Sequence, residues 1–327
     1  MENFIPINFH KTRDFSQKMS ATFEFVRQNF KSMGKAIVFI AGPPVLVASM
    51  LMGTFFGDFF NASFNATTNP ELFQSLFTTT SFWMQLVLMF VFLIVSTVST
   101  IATINNYLIL YERKQSNKIE VNEVWEEVRS TFWMYLGTAV QLTIVMVLLY
   151  FLIILLVVGF GMITPALAIF AGIGAFVGFF YVVIGTSLVF IIRGYEKRGF
   201  FESVFRSFRL IQGKWWSTFG LIFILYMIAV VVSYVFMIPG YVIAGITALH
   251  EASPAEFEKP ASGMQTMMIV FFTLYYLAQM VLYTLPNVGV AFQYFNLVER
   301  KEARGLMNQI ETIGQAPAPT PGQDEHY

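Results

Sequence analysis

The chain has 327 residues, of which 56% are hydrophobic and only 12% are charged, and its formal net charge is zero. A soluble domain carries about 25% charged residues because its surface must be solvated, so this composition excludes a soluble enzyme, a nucleic-acid-binding domain and a disordered chain. It indicates an integral membrane protein, and the absence of cysteine also excludes a disulfide framework and a thiolate metal site.

Apolar runs long enough to cross a bilayer core of about 30 Å predict six spans. We expect a cytoplasmic N-terminal segment with an interfacial helix over residues 1–35, a transmembrane domain over 36–304 and a largely disordered tail over 305–327. We expect no removable signal peptide, because no apolar run lies early in the sequence. The six predicted spans are Ala36–Phe56, Trp83–Tyr111, Phe132–Phe160, Ile163–Ile192, Phe219–Ile246 and Met264–Val298.

The positions of the basic residues predict the orientation of the chain. Nineteen of the 20 Lys and Arg residues lie in the N-terminal segment, the second-to-third and fourth-to-fifth connections, and the C-terminal segment. Only Lys259 lies on the other side. Because cytoplasmic loops carry an excess of Lys and Arg, both termini are predicted to be cytoplasmic.

Similar segments recur three times along the chain. Each even-numbered span ends in a related tetrad, at residues 111–114, 195–198 and 298–301. An amphipathic stretch precedes each odd-numbered span and ends in aromatic residues followed by Gly34, Gly137 or in the third copy Gly220. The pattern predicts three repeated units, each an interfacial helix followed by a hairpin of two spans. The alternative interpretation is that basic residues simply flank every cytoplasmic helix end, without a true repeat.

The amphipathic stretches are typical of helices that lie in the headgroup plane, with aromatic residues at the acyl boundary and cations toward anionic lipid. A cytoplasmic cuff that braces the bundle is the alternative interpretation. The middle copy carries more acidic than basic residues and is expected to prefer a protein contact. The lipid- or partner-contact residues predicted on the first and third copies are Arg27, Lys31, Arg206, Arg209 and Lys214.

Polar residues form one stripe on the second span at three- and four-residue steps. They could line a cavity for a polar or amphiphilic ligand, or they could hold helices together. On the fourth span, Ala171, Gly174, Ala175 and Gly178 have small-xxx-small spacing, which predicts a central, closely packed helix. The stripe comprises Ser96, Ser99, Thr100, Thr103 and Asn106.

Residue patterns for catalysis or metal binding are not found in the sequence. His10, His250 and His326 are far apart and lie outside the predicted spans. The spans contain no paired carboxylates, no Ser–His–Asp set and no ionisable residue in their central part. We therefore expect no catalytic residue, no metal, no cofactor and no nucleic-acid partner.

The segment Phe201–Gly220 and the tetrads at the ends of the even spans carry a resemblance. They resemble the membrane domain of glycerophosphoryl diester phosphodiesterases and related six-span bacterial proteins. The resemblance implies a bacterial inner-membrane protein. We expect the catalytic barrel of that family to be absent, because the sequence ends about 20 residues after Arg304, and no catalytic residue is carried over.

Two functional hypotheses follow from the sequence. The first is a non-enzymatic, all-α membrane protein that organises lipids or partner proteins through its cytoplasmic interfacial helices. The alternative is a transporter for an apolar or amphiphilic solute, with the stripe on the second span lining the route.

Overall fold

A computed structural model describes residues 4–65, 70–242, 245, 261–303 and 307. The regular structure of these residues is helical, and they contain no strand. The predicted tail, Lys259, His250 and His326 lie outside the described residues. The helices are α1 Phe15–Ile40, α2 Gly42–Asn65, α3 Pro70–Thr78, α4 Thr80–Lys114, α5 Val121–Gly161, α6 Pro165–Gly185, α7 Val189–Glu196, α8 Phe200–Ile211, α9 Trp215–Tyr234, α10 Ala261–Leu282 and α11 Thr284–Glu302.

The described residues are all-α, and the long apolar helices among them support a multi-pass membrane protein. Five of them can cross a membrane by length and composition, and a bent helix pair makes a sixth. This pair, Phe15–Ile40 and Gly42–Phe59, bends by 59°. The first predicted span therefore begins in the last turn of one helix and continues in the next.

Local sequence signals account for several helix ends. Asp14 caps α1, and its carboxylate accepts the Gln17 backbone N–H while the Gln17 side chain accepts the Asp14 N–H. Thr164 caps α6 and is followed by Pro165 at a position where proline costs no hydrogen bond. Pro43 and Pro44 lie in the first turn of α2, where they are tolerated for the same reason.

The glycines that were expected to separate interfacial helices from spans lie inside helices instead. Gly34 is within α1, Gly137 is within α5, and Gly220 is within α9. The second interfacial stretch and the third span form one helix of 41 residues, which is about 60 Å long at 1.5 Å per residue. The third unit has a separate amphipathic helix, α8, which ends before a turn at Gly213 with φ +80°. In the first unit, α1 is separated from α2 by the bend at Ala41.

The prediction of a central fourth span is wrong. In the helical segment Pro165–Glu196, 6% of the most apolar window is buried. A Cβ added at Gly174 or Gly178 would meet no atom within 4 Å outside its own helix. Small residues permit close helix approach but do not require it, and this segment packs mainly on α5.

The α2 helix packs on α10 and α4, α4 also packs on α5, and α11 packs on α1 and α9. The N-terminal segment before α1 also contributes to the core. Phe9 is 3% exposed and lies within 6 Å of the ring centres of Phe25, Tyr111, Phe292 and Phe295. This aromatic cluster joins the N-terminus to α1, α4 and α11 at one end of the bundle.

Candidate functional site

The α1 helix has two distinct faces. Its face toward the bundle buries Lys18, Thr22, Phe25, Asn29 and Met33. Three of these five buried residues, Lys18, Thr22 and Asn29, are polar or charged. Membrane aromatic residues can face lipid, so periodicity alone does not identify the face that packs on protein.

The outer face of α1 combines aromatic and basic side chains. Phe23 is exposed, and Phe30 is 61% exposed. Arg27 and Lys31 are also exposed, with Arg27 forming a surface ion pair with Glu24 at 3.0 Å. Such an exposed pair contributes little stability, so Arg27 can exchange partners at low cost.

A groove runs between this face of α1 and the junction of α10 with α11. Its volume is about 280 Å³, and its lining is almost wholly apolar. Arg27 is the one charged residue of the lining, which also includes Phe23 and Phe30. On the opposite wall, the Thr284 hydroxyl is buried without a hydrogen-bond partner in the described part of the chain.

The α8 helix repeats the arrangement of α1. Ser203, Ser207 and Leu210 are buried against the bundle, and the Ser207 hydroxyl donates to the Gly185 carbonyl at 2.5 Å. On the other side, Phe205 is 70% exposed. Phe201 and Arg209 of α8 are exposed as well, and so are Lys214 and Trp216, which follow α8 after the turn at Gly213.

Arg206 differs from the other predicted contact residues because it lies inside the protein. Its side chain is 10% exposed and forms two hydrogen bonds with Glu302, at 2.7 and 3.1 Å. Its Nε lies 2.5 Å from Glu196, which also accepts hydrogen bonds from Tyr294 and Arg198. Burial alone lowers the pKa of Arg206, but the carboxylates of Glu302 and Glu196 outweigh this effect and raise it. Arg206 therefore joins α8 to α7 and α11.

Two further cations are buried near this end of the bundle without a carboxylate partner among the described residues. The Lys18 ammonium donates to Ser217 at 2.9 Å and to Gln293 at 2.7 Å. The Arg13 guanidinium donates to the backbone carbonyls of Asn8, Phe9 and Lys11, and burial lowers its pKa. This end of the bundle is therefore electropositive.

The predicted stripe on the second span is buried throughout. The hydroxyls of Ser96, Thr100 and Thr103 donate to carbonyls of their own helix. The Asn106 amide donates to Thr131 on α5 at 2.8 Å, which is a packing contact. Ser96 and Thr100 also line a cleft of about 240 Å³, but Thr103 and Asn106 do not.

The cleft contains polar residues that sequence reasoning did not connect. Tyr226, Tyr276 and Tyr283 line it together with Gln279. Residues 276, 279 and 283 are three and four positions apart, so they fall on one face of the last span. This periodicity was the available signal, but tyrosine is common in membrane helices at the interface and did not stand out.

His10 belongs to a small hydrogen-bonded group. Its Nε2 lies 2.7 Å from a Glu112 carboxylate oxygen, to which the Tyr195 hydroxyl donates at 2.9 Å. No group of three or more His, Asp or Glu residues converges as metal ligands within the described ranges. The contacts tie the N-terminal segment to the ends of α4 and α7.

Comparison with known proteins gave no relative. No protein-family model, no curated protein and no solved structure matches this chain. The resemblance to the membrane domain of the phosphodiesterases stays a prediction.

Proposed function

We propose that this is a non-enzymatic protein of the cytoplasmic membrane that organises anionic lipids through α1 and α8. The observation that carries the proposal is the groove beside α1, whose almost wholly apolar lining includes Arg27, with exposed Lys31 one turn further along the same helix. A phospholipid needs both features, because its acyl chain requires apolar surface and its phosphate requires a cation. The groove offers them side by side.

The exposed aromatic and basic residues of α8 supply a second surface of the same kind. Basic residues near an anionic leaflet contribute about 1 kcal/mol each, and exposed aromatic rings contribute area at the acyl boundary. Arg209 and Lys214 serve in this contact. Arg206 does not, because its guanidinium is held by Glu196 and Glu302.

The finer topology belongs to the same proposal. Both termini lie on the cytoplasmic side, and three units, each an amphipathic helical stretch followed by a hairpin, build the domain. Contacts among the tetrads support this arrangement. Glu112 binds His10 of the N-terminal segment and the Tyr195 hydroxyl, and Glu196 accepts a hydrogen bond from Tyr294 of α11. The basic residues of these segments therefore gather at one end of the bundle, as a one-sided charge distribution requires.

Thermal unfolding in a neutral detergent tests the proposal. Phosphatidylglycerol should raise the unfolding temperature of the wild type more than phosphatidylcholine does, because a ligand that binds only the folded protein stabilises it. The double variants Arg27→Gln with Lys31→Gln, and Arg209→Gln with Lys214→Gln, should each reduce this difference. Added salt should also reduce it, because exposed charges are screened.

A matched control removes two exposed basic residues from the acidic middle unit, Lys118→Gln with Arg129→Gln. This variant should keep the full preference for phosphatidylglycerol. Equal stabilisation of the wild type by both lipids would contradict the proposal, and so would an equal loss of preference in all three double variants. Co-purification of a stoichiometric protein with α1 or α8, without lipid preference, would favour a partner-docking surface instead.

A further inference from the structure

A second lipid-accessible feature lies at a different depth in the bundle. The helices α2 and α10 pack against each other, α4 packs on α2, and α9 packs on α10. The cleft of about 240 Å³ lies between α4 and α9, above the floor that α2 and α10 form. Sites that enclose a drug-sized molecule measure about 300–1,000 Å³, so this cleft fits the polar part of a lipid rather than a whole one.

The cleft lies at the depth of the hydrocarbon core. Ser96 precedes the tetrad residue Glu112 by 16 positions, and Tyr283 precedes the tetrad residue Glu299 by the same 16 positions. At 1.5 Å per helical residue, both lie about 24 Å from the charged end of the bundle. Because the hydrocarbon core is about 30 Å thick, these groups are remote from the headgroups on the charged side.

Several polar groups in the cleft have no partner. The hydroxyls of Tyr226, Tyr276 and Tyr283 and the Gln279 side-chain amide form no hydrogen bond with the described part of the chain. Ser96 and Thr100 differ, because their hydroxyls are satisfied by carbonyls of α4. Tyr276, Gln279 and Tyr283 are half-buried and Tyr226 is 41% exposed. At this depth their surroundings are hydrocarbon, in which an unpaired polar group costs free energy. Four such groups around one space therefore call for a hydrogen-bonding ligand.

The chemistry of the lining restricts that ligand. None of the residues that line the cleft is charged. The floor is apolar, with Val45, Ala48 and Met280 all buried. An anionic or cationic headgroup would lose its hydration here without a counter-charge, so the ligand is uncharged.

We propose that the cleft binds a neutral lipid alcohol of the diacylglycerol type. The tyrosine hydroxyls and the Gln279 amide bond its hydroxyl and ester oxygens, while its acyl chains leave sideways between α4 and α9. This site is separate from the cationic surfaces of α1 and α8. Either proposal can therefore fail without the other.

Photocrosslinking in nanodiscs tests this site. The probe is a diacylglycerol that carries a diazirine on its acyl chain close to the glycerol, and its matched control carries the same diazirine beneath a phosphocholine headgroup. The diacylglycerol probe should label peptides of α4, α9 and α10, and unlabelled dioleoylglycerol should displace it. The phosphocholine probe should label these peptides no more than the lipid-facing peptides of α5.

The variant Tyr276→Phe with Tyr283→Phe removes two hydroxyls and keeps both rings. It should weaken competition by dioleoylglycerol about tenfold with little change in unfolding temperature, as expected for two lost hydrogen bonds. Tyr275→Phe is the control, because Tyr275 adjoins the site in sequence but does not line the cleft. Unchanged competition in the double variant, or equal labelling by both probes, would overturn the proposal. If the double variant unfolds at a lower temperature, the wild-type competition between the two headgroups still decides the question.

Discussion

Replacing Arg206 by Gln separates structural cations from lipid-contacting ones. The guanidinium joins three helices, because it pairs with Glu196 at the end of α7 and with Glu302 at the end of α11. Glu196 is 6% exposed, so the substitution leaves a buried carboxylate with fewer partners. We expect the variant to be less stable and to keep the lipid preference of the wild type.

The expected loss of stability in Arg206→Gln depends on how deeply Arg206, Glu196 and Glu302 are buried. Removing one partner of a buried ion pair costs about 3–5 kcal/mol. Two features place Arg206→Gln near the lower end, at about 3 kcal/mol. Glu302 is 29% exposed and can be solvated, and Arg198 and Tyr294 stay bound to Glu196.

The matched control is Arg209→Gln, three residues along the same helix and exposed. Its free energy of unfolding should change by less than about 0.5 kcal/mol, as for most surface substitutions. Both variants are measured by reversible unfolding in mixed micelles with increasing denaturing detergent. A loss below about 1 kcal/mol for Arg206→Gln, or equal losses for the two variants, would refute the buried network.

Three further experiments test the packing. Gly53→Ala should cost about 1–3 kcal/mol, because its Cβ would lie 2.6 Å from the backbone of α10. Gly174→Ala should be neutral or stabilising by up to about 1 kcal/mol, because its Cβ would meet no neighbour. Equal effects of the two variants in the unfolding titration would contradict the peripheral position of the fourth span. Phe9→Ala should cost about 3–5 kcal/mol because the ring is buried, and Phe4→Ala should cost much less because Phe4 is exposed. Similar losses of stability would show that the N-terminal segment does not dock on the helix bundle. Asn106→Ala should cost about 1 kcal/mol through its lost contact with α5, and a stable variant would reopen a ligand-contacting role for this amide.

The existence of the apolar spans was predictable, because a run of about 20 apolar residues has few other stable environments. The boundaries of the spans were less predictable than their existence. The break at Ala41 had a local signal, because Gly42, Pro43 and Pro44 follow it directly and proline is tolerated in the first turn of a new helix. No proline directly follows Gly137, and α5 continues through this glycine without a break. The sequence marked the position of the break but not the size of the bend.

The sequence predicted some of the candidate functional residues and missed others. The sequence identified Arg27, Lys31, Arg209 and Lys214, which are exposed as expected, because amphipathic periodicity reports which residues share a face. It could not separate Arg206 from them, since the distinction depends on carboxylates 10 and 96 positions away in the chain. The cleft also escaped prediction, because its polar groups come from helices that only the tertiary fold brings together.

The most direct test of the account is the lipid that the protein retains. Wild type and the double variants are extracted gently with native lipid, and the bound lipids and proteins are identified by mass spectrometry. We predict that anionic phospholipid is enriched over the bulk membrane in the wild type and in Lys118→Gln with Arg129→Gln, and that the enrichment falls in Arg27→Gln with Lys31→Gln. Retained lipid of bulk composition in all of these samples would contradict the central claim that the basic, aromatic faces of α1 and α8 recognise anionic lipid.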